Sequence, residues 1–266
     1  AEALSGKVKA EKVRTPSGRK ARVTEEESFT AEEPRVRTPP RAGARTTAEP
    51  EPEPTIPVEP IILPDVILYD AKGKAFHKYK KVTVSGESIK TASGYVMKTQ
   101  DEWTAFYADK REKNISLPLF YAVLERLVDE KHPALAGLAK DLKDSYLSMG
   151  TRINYDKDFI IHNYGTPDAE TFHCPLPASD WMETAKGTKA GKNAFKAFLM
   201  AKDVDKADEV LRKVCGVKPY LWTPDAENRK AVPERAVFVY ANSVWLSLGC
   251  GSYLGDHGRS RSVVVE

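Results

Sequence analysis

Apolar residues are distributed unevenly along the chain. Over residues 1 to 60 they follow no period, and the stretch is built from Glu, Arg, Thr, Pro, Ala and Lys without a Trp or Tyr. Such a segment buries too little apolar surface to offset an ordering cost of roughly 1 to 2 kcal/mol per residue, so it is expected to be a disordered, charged, Pro-rich tail. Periodicity begins at Ile61. Residues 66–69 (VILY) and 81–84 (KVTV) read as strands around a turn containing Lys and Gly, and 93–97 as a third strand.

A helical pattern then takes over. Residues 101–112 place Trp103, Phe106 and Tyr107 on one face. Ser116 is a good N-cap with Pro118 in the first turn, and Phe120, Val123, Leu124, Leu127 and Val128 recur at helical spacing. Pro133 opens a helix carrying Leu135, Leu138, Leu142 and Tyr146, with Gly150 as its expected end. From residue 151 the period shortens: 152–155 and 159–163 flank Asp156-Lys157 as a hairpin, and 171–174 follows as a strand. Two more helices are expected, 188–201 around Phe195, Phe198 and Leu199, and 204–214 around Val204, Ala207, Val210, Leu211 and Val214, stopping at Gly216. Beyond Pro219 the pattern is β, over 220–223, 235–241, 244–248 and 262–265, with a tight turn at Asn242-Ser243. The stripes are core faces first, because every amphipathic helix must bury its apolar side.

The expected fold class is therefore α+β, a single domain over residues 61–266 whose 61–150 part is mostly helical and whose 151–266 part is rich in antiparallel β. A net charge of +3 selects no partner, and no run of 18 apolar residues is present to span a bilayer. AEALSGKVKAEKV at the start has no apolar h-region, which makes a cytoplasmic location the default expectation and leaves surface display as the alternative. Charge within the tail is patterned, with seven Lys or Arg against two Glu over residues 1–24 and nine Glu against four Arg over 25–60. Its basic segment 7–22 could contact nucleic acid, although without aromatic residues to stack bases a solvated linker is the simpler reading.

Catalytic chemistry needs converging groups, and the sequence offers few. Gly187-Thr-Lys-Ala-Gly-Lys-Asn has three residues between its glycines and Asn193 after the Lys, where a phosphate-binding loop needs four and a Ser or Thr. His162, His173 and Cys174 sit on adjacent expected strands, so a metal- or cysteine-dependent hydrolase is an alternative, with His257 and Cys250 further along. No Cys-x-x-Cys or His-x-x-x-His spacing accompanies them, and lone His and Cys residues are usually packing or surface residues. Three widely spaced cysteines argue against a disulfide framework. Asp256-His257, between glycines, reads as a polar turn. No catalytic residue, metal or cofactor is expected on this reading.

The C-terminal segments Tyr220-Leu-Trp-Thr-Pro, Pro233-Glu-Arg-Ala-Val-Phe-Val, Val244-Trp-Leu-Ser-Leu-Gly-Cys and Gly258-Arg-Ser-Arg-Ser-Val-Val-Val form a layout. Over residues 220–266 it resembles the C-terminal half of C-type-lectin-fold proteins, in particular the variable proteins of diversity-generating retroelements and surface domains of the formylglycine-generating-enzyme type. Trp222, Arg235, Ala236, Val237, Arg259, Ser260 and Val263 carry the resemblance, while Ser262 and Val264 stand where the family usually has Gly and Arg. The resemblance implies a lectin-like C-terminal β part whose closing strand is 262–265, and a non-catalytic, variable binding surface.

Adenine randomisation, the mechanism that resemblance implies, cannot produce Lys, Glu, Gln, Met or Trp. No Lys, Glu, Gln or Met occurs from Ala236 to Val265, and Trp245, outside the permitted set, would be scaffold. Short strands and turns also disfavour Lys and Glu, so both explanations stand open. On the binding reading Tyr240, Asn242, Val244, Ser247, Ser252, Tyr253, Asp256 and His257 form the contact surface, with Trp222, Arg235, Trp245 and Arg259 as support. The partner is expected to be a macromolecule, a protein in the first instance, with Tyr253 as the anchor because aromatic residues dominate interface energetics.

Overall fold

Residues 59–70, 72–174, 176, 182–183 and 188–266 are described by the computed structural model. The segment expected as a tail, including the basic stretch 7–22, lies outside them apart from residues 59 and 60.

The first described element is a long antiparallel hairpin, β1 (Ile61–Tyr69) and β2 (Ala75–Val84), with Ile61 opposite Val84. Asp70 Oδ1 accepts from the backbone N–H of Lys72 and of Lys74, at 2.8 and 2.9 Å, which shapes the turn. Buried positions on β1 are Ile61 and Leu63, then Val66 and Leu68. The alternation changes parity at Asp65, whose φ of 51° puts a local twist in the strand. That break shortens the period-two signal, and the sequence accordingly yields only the distal half of each strand. Residues 93–97, expected as a third strand, contribute only to a two-residue ladder, β3 (Lys90–Thr91) with β4 (Gly94–Tyr95).

Three helices follow. A capping box opens α1 (Gln100–Tyr107), Thr99 accepting from Glu102 N while the Glu102 carboxylate accepts from Thr99 N, and Trp103 and Tyr107 are buried. α2 (Leu117–Asp129) is apolar on most sides and lies between the hairpin and a second sheet. α3 (Ala134–Asp144) buries Leu138 and Leu142. It ends at Asp144, not at Gly150, because the next residues enter β6 (Leu147–Asn154), all eight of whose residues are buried. A strand covered on both faces loses its alternation in sequence, which explains the misplaced boundary. Gly150 lies within it, and a Cβ there would come 2.5 Å from the Asn114 carbonyl oxygen. The proposed division at residue 150 therefore falls inside a strand.

β6 is central to a seven-stranded sheet ordered β8-β7-β6-β11-β12-β10-β9. Its other members are β7 (Phe159–His162), β8 (Glu170–His173), β9 (Met182–Glu183), β10 (Lys218–Trp222), β11 (Glu234–Ala241) and β12 (Trp245–Ser252). All pairs are antiparallel except β10 with β12, which run parallel. α4 (Lys189–Leu199) and α5 (Val204–Cys215) match the expected helices. Asp203 caps α5, which stops at Gly216 with φ 73°. A short helix, α6 (Ala226–Ala231), is additional; it buries no residue and so writes no apolar stripe in the sequence.

The last strand, β13 (Ser262–Val265), is where expected but pairs with β2 and with β5 (Lys113–Asn114). It thus joins a four-stranded sheet, β1-β2-β13-β5, that also contains the start of the domain. One apolar cluster contains inward residues of both sheets and of α2 to α5. The architecture is α+β.

Candidate functional site

The seven-stranded sheet has one face on α2, α3 and α5 and one turned away from these three helices, with α1 beside β6 on that second side. Leu147, Val237, Val239, Ala241, Leu221, Leu246 and Leu248 belong to the core cluster, and α3 packs on β11 and α5 on β10. Alternation therefore directs Tyr240, Ser247, Tyr220, Trp222 and Trp245 to the opposite, outer face. Tyr240 lies opposite Ser247, and Ser247 in turn lies opposite Tyr220. The aromatic residues of β10 and β12 are half-buried, not exposed.

One end of this outer face is tightly built. Gly251 on β12 sits beneath Trp222, where a Cβ would come 2.0 Å from the indole, so the strand can pass only without a side chain. Arg235 is 1% exposed, and its guanidinium donates to three carbonyls, Nε to Val232, Nη1 to Gly251 and Nη2 to Asn228, at 2.8 to 3.0 Å. Two of these carbonyls belong to the end of α6: that of Val232 lies past the last helical residue, and that of Asn228 also accepts from the Val232 N–H at 3.1 Å. The ring of Tyr253 covers the same guanidinium at 4.4 Å and is itself 52% exposed.

The loop that follows crosses the outer face. Gly258 lies against Phe238, with room for no Cβ (2.6 Å to the ring), and its carbonyl accepts from Trp103 Nε1 at 2.8 Å. Phe238 is thereby buried, whereas Tyr240, two residues on, remains at the margin and stacks on Tyr146 at 4.6 Å and 28°. Tyr146 was expected in a helical core stripe; it is instead 51% exposed at the entry to β6. Beside it Ser145 Oγ approaches Met97 Sδ, and the Arg259 N–H donates to the Tyr146 carbonyl. The Arg259 guanidinium lies 3.7 Å above the Tyr95 ring. Tyr95, Met97 and Tyr146 thus border the surface read from the C-terminal residues. Nothing in their local sequence marks them, because they reach the site only through the fold.

The individual site residues divide into two kinds. Val244 (62% exposed) and Tyr253 project into solvent, Tyr240 and Ser247 are half-buried on the outer face, and Ser252 is half-buried at the end of β12. Asn242 and Asp256 build turns. Asn242 Oδ1 accepts from the N–H of Val244 and of Trp245, at 2.7 and 2.8 Å, and Asp256 Oδ2 accepts from Tyr253 N at 2.8 Å. His257 is exposed, with Nε2 3.8 Å from the Glu102 carboxylate. Of the four support residues, Arg235 and Trp222 pack as described and Trp245 is half-buried, but Arg259 makes no side-chain hydrogen bond to a described residue and its Nε and Nη1 are shielded from solvent.

The histidines and cysteine of the hydrolase alternative are not brought together. On the β7–β8 ladder His173 lies opposite Phe159 and His162 opposite Glu170, so the two rings are three positions apart and on opposite faces. His162 is 1% exposed, its Nδ1 3.1 Å from Thr151 Oγ1 and its Nε2 near the Ala197 carbonyl but off hydrogen-bonding geometry. Burial lowers its pKa to about 3, which makes it a neutral core residue. Burial, and then the Asp158 charge, raises the Cys174 thiol, the wrong direction for a nucleophile. Cys215 is pushed up to about 11 by burial, and Cys250 is also raised by burial. Among the described residues no group of three or more His, Cys, Asp or Glu side chains is placed to hold a metal, and no helix is long and apolar enough to cross a membrane. No protein-family model, curated protein or solved structure matches this chain.

Proposed function

We propose that the outer margin of the seven-stranded sheet is a macromolecule-binding surface, and that the protein is a non-catalytic binding protein whose partner is another protein. The observation that carries this reading is Tyr146, half exposed and stacked on half-buried Tyr240, with Val244 exposed in the turn beyond Tyr240 and Tyr253 exposed past the other end of the same hairpin. Large apolar side chains left in solvent cost hydration free energy and contribute little to the fold, so several of them along one margin of a sheet fit a contact surface. On this reading the scaffold is the buried system of Arg235, Trp222, Gly251 and Gly258, which holds the loops without requiring any particular side chain at the exposed positions.

The lectin-type variable protein remains the finer form of the proposal. It is supported by β13 closing a sheet with the start of the domain, and by Trp222 and Arg235 acting as framework while Tyr240, Val244 and Tyr253 face outward. It places Asn242 and Asp256 in the framework as turn residues. A library randomised at 240, 244, 247, 253 and 257, displayed on yeast and panned against an immobilised globular protein, tests it. Folded clones with selective binding are expected. A library in which few clones fold would contradict it.

A further inference from the structure

Tyr95, Met97 and Tyr146 are exposed: Tyr146 stacks on Tyr240, Met97 Sδ meets Ser145 Oγ beside it, and Tyr95 lies under the Arg259 guanidinium, whose backbone N–H donates to the Tyr146 carbonyl. This cation has a distinctive environment. Arg126, Arg152, Arg212 and Arg261 each contact a carboxylate within 4.0 Å, Arg229 and Arg235 donate to carbonyls, and Arg111, without an ion pair to a described residue, is exposed to water. Arg259 has neither kind of partner among the described residues, although its Nε and Nη1 are withdrawn from water. A guanidinium stays charged at every physiological pH, and one that is partly desolvated without an acceptor is poised to take one.

No carboxylate of a described residue is paired with Arg259: Asp256 accepts from Tyr253 N, Glu102 closes the capping box at Thr99, and Glu87 pairs with Lys90. Lys98, bridged through its backbone to Gly258, has its charge acting on the Glu102 carboxylate. The ledge thus joins apolar contact area at Met97, Tyr146 and Tyr240 to the positive charge of Arg259, with the Asp256 carboxylate also acting on Tyr146.

We infer that this ledge receives an acidic segment of a partner protein, one carboxylate seated on the exposed Nη2 edge of Arg259 and a neighbouring apolar side chain against Met97 and Tyr146. The inference rests on the binding reading above and names its partner's chemistry. A carboxylate fits the planar guanidinium, and the aromatic residues supply contact area at low entropic cost. Nucleic acid fits less well, because single-stranded bases need free ring faces. Here Tyr146 and Tyr240 cover each other and Arg259 covers Tyr95.

A phage-displayed library of random peptides, panned on the full chain and counter-selected on the Tyr146→Ala/Tyr240→Ala variant, provides the probe. Enriched sequences are expected to carry Asp or Glu beside an aliphatic or aromatic residue. Synthetic copies should bind about tenfold or more weakly to Arg259→Gln, recover part of that loss with Arg259→Lys, and weaken with rising salt. Because Arg259 makes no side-chain hydrogen bond to a described residue, Arg259→Gln should keep the wild-type unfolding midpoint, which separates lost binding from lost folding.

Peptides without acidic residues, lost on the tyrosine variant but unaffected by Arg259→Gln, would overturn the acidic partner and leave the binding surface standing. Peptides indifferent to all these variants, or no enrichment over the counter-selected variant, would overturn both. An oligothymidine that outcompetes every peptide in an Arg259-dependent way would replace the inference with a nucleic-acid partner.

Discussion

Two arginines of the C-terminal segment, Arg235 and Arg259, each lie against a tyrosine ring, yet their surroundings are opposite. Arg235 is buried, saturated by three carbonyls and covered by Tyr253. Arg259 rests on Tyr95 with two shielded nitrogens and no acceptor among the described residues. The difference separates framework from rim. A guanidinium that closes off the carbonyls of α6 and β12 is a cross-brace, whereas one that closes off nothing has its electrostatic potential available to a partner. Guanidinium–aromatic contact alone identifies neither role; the acceptor list does.

The largest expected effect falls on the framework. His162 stays neutral in the fold down to about pH 3 because burial disfavours its charge, while the unfolded chain takes up the proton near 6.5. This depressed pKa contributes stability that is fully present above pH 6.5 and is lost as pH falls from 6.5 towards 3, at about 1.4 kcal/mol per pH unit. Urea midpoints measured between about pH 7.5 and about pH 4.5 should fall more steeply for wild type than for His162→Leu. Parallel curves would place the ring in contact with water.

Arg235→Met should come next, costing about 3 kcal/mol by leaving three carbonyls without their charged donor, as read from equilibrium unfolding. A cost near zero would merge the two arginine environments into one. Asn242→Ala should cost about 1 kcal/mol by removing the acceptor that closes the β11–β12 turn. Arg259→Gln, at the other extreme, should change stability by less than about 0.5 kcal/mol.

Much of the framework is legible in the sequence. The helices of residues 189–199 and 204–215 write clear stripes because each has one buried side, that of 117–129 shows through its apolar run and Pro118 in the first turn, and Asp203 and Gly216 mark the ends of α5. What failed to show follows from burial on both faces or on neither. β6 is covered on both sides and its start was taken as the end of a helix; α6 buries nothing and left no pattern. The candidate site was half legible. Exposed Val244 and Tyr253 lie on a segment whose strand-and-turn pattern is local, and Asn242 could be read as a turn residue. Tyr95, Met97 and Tyr146 could not be found, since they meet Tyr240 and Arg259 only across sequence separations that a periodicity does not encode. The pairing of β13 with β2 was hidden for the same reason.

The most direct test concerns whether rim and framework are separable. Tyr146, Tyr240, Val244 and Tyr253 can be changed together to Ser and the variant unfolded in urea beside the wild type. Cooperative unfolding with an unchanged m value and a loss of no more than about 2 kcal/mol is expected. A collapse of cooperativity, or a loss as large as that of Arg235→Met, would show that these side chains hold the fold together and are not a surface kept for a partner.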